Sequence, residues 1–313
     1  MAQAALHAQR RNKAAKIARQ KYLYLMLLPA VVLVFIFSYV PLAGWIIAFI
    51  QFRPGFDLLP AQWTGLREFA NFFTQGNDYV YLLRNTLAMN IGALITNLLS
   101  AFLFALLLNE IRNRYFGKLV QTVTFFPFFV SWVIIYSFSS ALFASSAGAV
   151  NETLVGWGLI EEGVNFMGDP KYAWLFMIGL GAWKYLGYNS VIFISSIASI
   201  PAEYYEAAEI DGAGRFRKVW HITVPGMVPT LIVLLILNSG WILNSNFEQF
   251  YLFTNTTNWE KMEVLDIYIY KYGLQLLNYP YATAVGILKT FISLALIVGV
   301  NALSKKATGK AIF

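Results

Sequence analysis

Apolar and polar positions alternate along this chain in blocks, with long apolar runs separated by short polar stretches. A polar, basic segment fills residues 1–21, and an apolar run of nearly thirty residues follows, from Tyr22 to Ile50. Further apolar runs cover about 82–109, 119–143, 173–199, 227–247 and 281–303. A helix rises about 1.5 Å per residue, so about twenty apolar residues cross a hydrocarbon layer about 30 Å thick. Six runs predict six membrane spans and an all-α polytopic membrane protein. The first run is too long for the apolar core of a secretory signal, and no small-residue cleavage site follows it. It is therefore read as an uncleaved span, which Pro29 and Pro41 are expected to kink or end.

Composition agrees with the pattern. Of 313 residues, 58% are hydrophobic and 12% charged, against roughly 25% charged in soluble domains. The net charge of +7 does not imply nucleic acid, because the basic residues sit at the ends of apolar runs, where they orient the chain. On one side of the predicted spans lie Arg10, Arg11, Lys13, Lys16, Arg19, Lys21, Arg112, Arg114, Lys118, Arg215, Arg217, Lys218, Lys305, Lys306 and Lys310. The other side holds only Arg53, Arg67, Lys171, Lys261 and Lys271. That asymmetry places both termini and the loop at 200–226 in the cytoplasm. The outer loops, roughly 51–81, 144–172 and 248–280, carry Trp63, Trp157, Trp174 and Trp259, as expected near a membrane interface. The absence of cysteine excludes disulfides, thiol catalysis and cysteine metal sites. With only His7 and His221 available, a two-histidine metal site is not expected.

The most organised polar stretch is PAEYYEAAEIDGAGRFRKVWHITVP at 201–225. Glu203, Glu206 and Glu209 recur every third residue, and Ala207, Ala208 and Ala213 leave room for a close partner. Pro201 suits a first helical turn. Gly212 and Gly214 can end that helix and turn the chain. A second short helix at about 215–221 is expected, closed off by Pro225 before the fifth span. Asp211 and Arg215, four apart, would pair if the helix continued between them.

Glu206-Ala207-Ala208, three residues, Gly212, nine residues, Ile222, one residue and Val224-Pro225 resemble the EAA loop of ABC importer permease subunits. The family pattern is EAA-x3-G-x9-I-x-LP, and Val224 stands in place of its leucine. Pro41-Leu42-Ala43-Gly44, Trp63-Thr64-Gly65-Leu66, Asn71-Phe72 and Arg84-Asn85-Thr86 resemble the carbohydrate branch. The stretches FEQFYLF from Phe247, DIYIYKYG at 266–273 and YATAVGILK at 281–289 are similar to permeases for oligosaccharides and polysaccharide fragments.

The resemblance implies a type I ABC importer permease fold with six helices, N-in and C-in, in the bacterial cytoplasmic membrane. The tail would be 1–21 and the permease domain 22–313, with its core at about 82–303. Glu203, Glu206, Ala207, Ala208, Glu209, Asp211, Gly212 and Arg215 would form the coupling surface, with Glu206 pairing with a basic residue of a separate ATPase. The implied partners are two ATPase subunits, a second permease subunit that is a different homologue, and an extracytoplasmic solute-binding protein. No cofactor is expected in this chain; ATP and Mg would be held by the ATPase. The chain itself has no G-x-x-x-x-G-K-[ST], since Gly309-Lys310 is followed by Ala311.

A sugar pathway needs aromatic faces for C–H surfaces and polar side chains for hydroxyls. Candidates within the spans are Trp132, Tyr136, Trp183, Lys184, Tyr185, Tyr188, Asn189, Trp241, Asn244, Asn246 and Glu248, with Gln249 beside them. Lys184 lies about 22 Å from the cytoplasmic end of its span at 1.5 Å per residue and is expected to favour an acidic sugar such as a uronate, with snorkelling to the interface as the alternative. Asn151-Glu152-Thr153 and Asn255-Thr256-Thr257 match the glycosylation acceptor pattern by chance. An ion-coupled secondary transporter is the rival function. It would want an intramembrane carboxylate relay or inverted repeats. A membrane-embedded enzyme would want a catalytic cluster within the spans.

Overall fold

The computed structural model describes residues 20–55 and 62–308, without the side chains of 303–305, 307 and 308. The basic segment 1–19 and Lys310 lie outside the described residues. Among these residues every element is helical, apart from one bridge between Ile50 and Trp63.

Helix α1 runs Lys21–Phe49. Pro29 lies within it, a π turn follows at Phe35–Tyr39, and a 3-10 segment occupies Val40–Phe49. Pro41 therefore tightens the helix rather than ending it, because a proline near the start of a 3-10 segment loses no bond that the segment needs. Much of α1 up to Leu42 lies open on the surface of the chain.

A short helix α2, Arg67–Thr74, leads into α3, Asp78–Asn109. The third predicted span is two helices, α4 (Arg114–Phe129) and α5 (Trp132–Phe143), bent by 102° at the break. The sequence explains the break. Pro127 has no N–H to donate, Val130 and Ser131 are extended, and the Ser131 hydroxyl caps α5 by accepting from Ile134 N at 3.4 Å. Helix α6, Ala149–Gly156, precedes α7, Pro170–Ala198. Asn151 is buried and grips Ala144 O and the backbone of Val164, so the acceptor-like triplet there serves as a loop staple.

After α8, Ala202–Ile210, helix α9 runs without a stop over Arg215–Ser239. The expected separate helix at about 215–221 and its end at Pro225 are thus corrected. A π turn at Val219–Thr223 sits just before Pro225 and absorbs the ring and the missing donor. The predicted fifth span also ends earlier, at Ser239. A turn follows, then α10 (Phe247–Phe253), α11 (Trp259–Met262) and α12 (Leu265–Tyr270). Helix α13, Tyr279–Thr308, closes the fold.

Among the described residues, four helices are long and apolar enough to cross a membrane: α1, α3, α9 and α13, with the bent α4–α5 pair as a fifth crossing if counted as one span. Helix α7 has 29 residues but is diluted by Lys184, Tyr185, Tyr188 and Asn189. It packs along α3. Leu98, Ala101, Phe102 and Ala105 of α3 meet Phe193 and Ile197 of α7 and Met227 of α9 at one end. At the other, Met89 and Met177 join Trp132, Phe250, Phe253, Met262 and Val264.

The residues 254–278 are pinned to α3 by polar locks. Asn85, fully buried, donates to Glu260 O at 2.9 Å and Glu263 O at 3.1 Å, and Thr86 Oγ1 accepts from Leu265 N at 3.0 Å. Buried polar groups need such partners, so Arg84-Asn85-Thr86 acts as a clasp between a span and the loop above it.

Candidate functional site

Two places gather the candidate functional residues: the loop at 200–226 and a cavity among α3, α7 and the α9–α10 turn.

The end of α8 is a Schellman turn. Ala213 N donates to Ala208 O at 2.8 Å and Gly212 N to Glu209 O at 3.0 Å. Gly212 has φ +72°, and open space surrounds its missing Cβ. Only its backbone conformation demands glycine. Gly212→Ala is therefore expected to cost about 1–2 kcal/mol locally, read as faster hydrogen exchange at Asp211–Ala213. Unchanged exchange there would rule out the turn as the reason for this glycine.

This stop also decides the charges. Asp211 and Arg215 do not pair, because the helix ends between them. Arg215 binds the carboxylate and backbone carbonyl of Glu110, at the end of α3. Lys218 Nζ reaches Glu209 Oε1 at 2.6 Å, and that hydrogen bond holds the Glu209 carboxyl below its ordinary range. Tyr205 OH and Thr223 Oγ1 share a hydrogen bond of 2.9 Å. Glu203, Glu206 and Asp211 are exposed and have no partner among the described residues. Beside them Ile210 and Phe216 are 88% and 84% exposed. The loop thus combines a rigid turn, internal ties to α3 and α9, unpaired acids and bare apolar side chains. Such a surface suits a protein partner.

The cavity, about 230 Å³, is lined by α3, α7, the turn after α9 and α10. It contains Tyr185, Asn189, Trp241, Asn244 and Asn246 from the sequence candidates, with Gln249 beside them. Asn246 donates to Tyr185 OH at 3.0 Å and Gln249 to Met177 O at 3.1 Å. Asn90, Asn97 and Asn238 complete the lining. Sequence reasoning missed these three, although Asn90 and Asn97 are seven residues apart, two turns, and so share a face of α3. Asn97 Oδ1 is buried without a partner. The lining holds many carboxamides and no charged side chain.

The other candidates lie elsewhere. Trp132 is buried in the core, and Tyr136 packs edge-on against Phe253 at 5.1 Å. Trp183 is half-exposed in an apolar recess with Phe126 and Pro127. Tyr188 stacks on Phe128 at 4.2 Å. Glu248 is exposed in the first turn of α10.

Lys184 is buried, and its ammonium donates to Pro127 O and Phe128 O at 3.2 Å and to Val130 O. It lies outside the cavity lining. One turn along, Gly187 lets α7 approach the backbone of Thr124 and Phe125 so closely that a Cβ would sit 2.5 Å from Thr124 O. The carbonyls at the α4–α5 break thus receive the lysine, which corrects the expectation of a charge offered to a passing sugar or to the interface. No group of three or more metal-ligating side chains occurs among the described residues.

The model of the binding-protein-dependent transport system inner membrane component family matches residues 98–309. The polygalacturonan/rhamnogalacturonan transport system permease protein YteP of Bacillus subtilis is 38% identical, covering 97% of this chain and 94% of the relative. Protein LplB of the same species is 37% identical over 96% and 93%. Among solved structures, a chain of a bacterial ABC transporter involved in the import of the acidic polysaccharide alginate superposes with TM-score 0.86 and 33% identity, covering 95% of this chain and 99% of that one. The same kind of importer, in complex with an alginate pentasaccharide-bound periplasmic protein, superposes with TM-score 0.85 and 32% identity. With the matched region covering more than half of the chain and containing the whole loop at 200–226, this chain belongs to the binding-protein-dependent transport system inner membrane component family.

Proposed function

We propose that the chain is a permease subunit of an ABC importer for oligosaccharides or polysaccharide fragments carrying acidic sugars. The permease domain is 22–313, with the tail 1–21 and the loop 200–226 in the cytoplasm. Counting α7 and the broken α4–α5 pair gives six spans. The observation that carries the reading is the built loop at 200–226: a Schellman turn holding Glu206 and Asp211 unpaired beside bare Ile210 and Phe216.

The mechanism follows from that loop. Two ATPase subunits close on binding ATP, and the loop, seated on one of them, passes the movement to α9 and, through Arg215–Glu110, to α3. ATP can shift the membrane helices only because it binds the closed pair more tightly than the open one. One chain offers one loop, so a second permease subunit serves the other ATPase. A solute-binding protein delivers the sugar to the outer loops. Inside, the carboxamides exchange hydrogen bonds with hydroxyls, while Trp241 and Tyr185 offer aromatic faces. The neutral lining suits movement, because weak, exchangeable bonds hold a sugar less firmly than charges do. Substrate acidity is supported by relatives whose names specify polygalacturonan and alginate.

The test is purification of the tagged chain in mild detergent beside Glu206→Arg plus Gly212→Trp. Wild type should retain a second permease and an ATPase, and the variant should lose the ATPase at least tenfold while keeping the permease. A wild-type chain that purifies alone and supports no nucleotide-dependent uptake would favour a secondary transporter.

A further inference from the structure

A second polar cavity, about 350 Å³, opens at the other end of α3 from the loop at 200–226. Its walls are the chain after α1, the start of α2, the first turn of α3 and the joint between α12 and α13. Asp78 in its wall is twelve residues from Asn90, so it lies about 18 Å along α3 from the cavity among the spans. Under the orientation proposed above, it faces outward.

Its lining is built for hydroxyls and a carboxylate. Arg53 and Arg67 are exposed and have no partner among the described residues. Glu68 and Asp78 are half-buried, and each already accepts one hydrogen bond, from Asn71 Nδ2 at 3.1 Å and from Tyr268 OH at 3.1 Å. Tyr281 adds an aromatic wall. The Thr64 hydroxyl is buried and lacks a partner, an uncommon state for such a group. Next to Asn278 in the wall, Leu277 holds φ +55°, a conformation that non-glycine residues adopt rarely and often near binding sites.

We propose that this cavity is an entry station that binds the uronate end of an acidic oligosaccharide before it reaches the spans. This rests on the importer reading above. The two guanidiniums take the uronate carboxylate, since their planar forks match its oxygens. Glu68 and Asp78 accept from sugar hydroxyls with their remaining lone pairs, and Tyr281 packs against a ring face. Two acids and two bases leave the cavity neutral overall, but the guanidiniums stand in the open and the carboxylates behind them. An incoming acid therefore meets positive charge first.

The test is calorimetric titration of the permease complex in zwitterionic nanodiscs, without its binding protein. The probes are trigalacturonate and, as the neutral comparator, galactotriose. Wild type should bind trigalacturonate, and Arg53→Ala plus Arg67→Ala should weaken it at least tenfold while changing galactotriose less than twofold. Thr64→Val, which leaves every charge in place, should weaken both sugars alike. Equal affinity of wild type and the double arginine variant, or no binding to wild type, would overturn the station. Uptake by intact cells separates the two ideas. Cells that import trigalacturonate while the variant titrates like wild type leave the importer standing and remove the station. Absence of both uptake and binding removes both.

Discussion

Lys184→Met should destabilise the protein by about 3 kcal/mol or more, the scale of losing charge-assisted bonds and leaving buried acceptors bare. The ammonium serves three carbonyls, those of Pro127, Phe128 and Val130, where α4 stops and α5 begins. Pro127 O also accepts from Val130 N at 3.2 Å, but the extended Val130–Ser131 link interrupts the ladder and leaves Phe128 O and Val130 O without a backbone donor among the described residues. The ammonium also lies 5.4 Å from the Trp132 ring, a contact that a thioether would keep only as packing. Lys184→Gln keeps an N–H donor and should lose clearly less. The measurement is SDS-induced unfolding in mixed micelles, paired with uptake of acidic and neutral oligosaccharides. Stability should fall in the order wild type, Gln, Met, with the ratio of acidic to neutral uptake unchanged. A Met variant as stable as wild type would show that the break does not depend on this lysine. A shifted ratio in an otherwise stable variant would return Lys184 to the sugar pathway.

Lys184 also shows where sequence reading stops. A lysine within a predicted span points to something that compensates its charge, and its approximate depth follows from counting residues. Whether it faces a sugar or a broken backbone depends on the 102° bend between α4 and α5, which a continuous apolar run at 119–143 does not disclose. Pro127 was the available signal. The loop at 200–226 was far more legible, because helix stop, turn and acidic periodicity are local. Even there the partner of Arg215 was not legible: Glu110 stands 105 positions away, and only tertiary packing brings it near. Boundaries of α3, α7 and α13 followed hydropathy closely, whereas α9 began earlier and ended earlier than its apolar run. A π turn rescued Pro225 at one end, and the helix stops at Asn238-Ser239-Gly240 at the other. Helix rotation explains the pathway residues. Tyr185, Asn189, Trp241, Asn244 and Asn246 share the cavity, while Trp183 and Tyr188 on the same stretch of α7 turn elsewhere.

The ion pair between Lys289 and Asp266, which the sequence pattern did not single out, should matter as much as Lys184. Lys289 lies ten residues into α13, about 15 Å along the helix, and its Nζ is 2.5 Å from Asp266 Oδ1. The two side chains are only 11% and 22% exposed. The other carboxylate oxygen accepts from Ser245 N at 2.8 Å, and the Ser245 hydroxyl accepts from Asn90 at 2.9 Å. The pair thus ties α13 and α12 to the turn between α9 and α10, whose Asn244 and Asn246 line the cavity. Lys289→Met leaves a buried carboxylate without its counter-charge and should cost about 3–5 kcal/mol. Asp266→Asn keeps an oxygen for Ser245 N but orphans the lysine, so it too should be costly. Combining the two removes both charges, and the loss should fall short of the sum of the single losses by about 2 kcal/mol or more. The same SDS unfolding series measures all four proteins. Strict additivity would mean that the pair contributes no coupling. The double variant should then separate stability from transport: with no unpaired charge left and Ser245 N still bonded at position 266, but that side chain no longer tied to α13, its uptake should show a raised KM at similar kcat. An unchanged KM would mean that the turn keeps Asn244 and Asn246 in place without the pair.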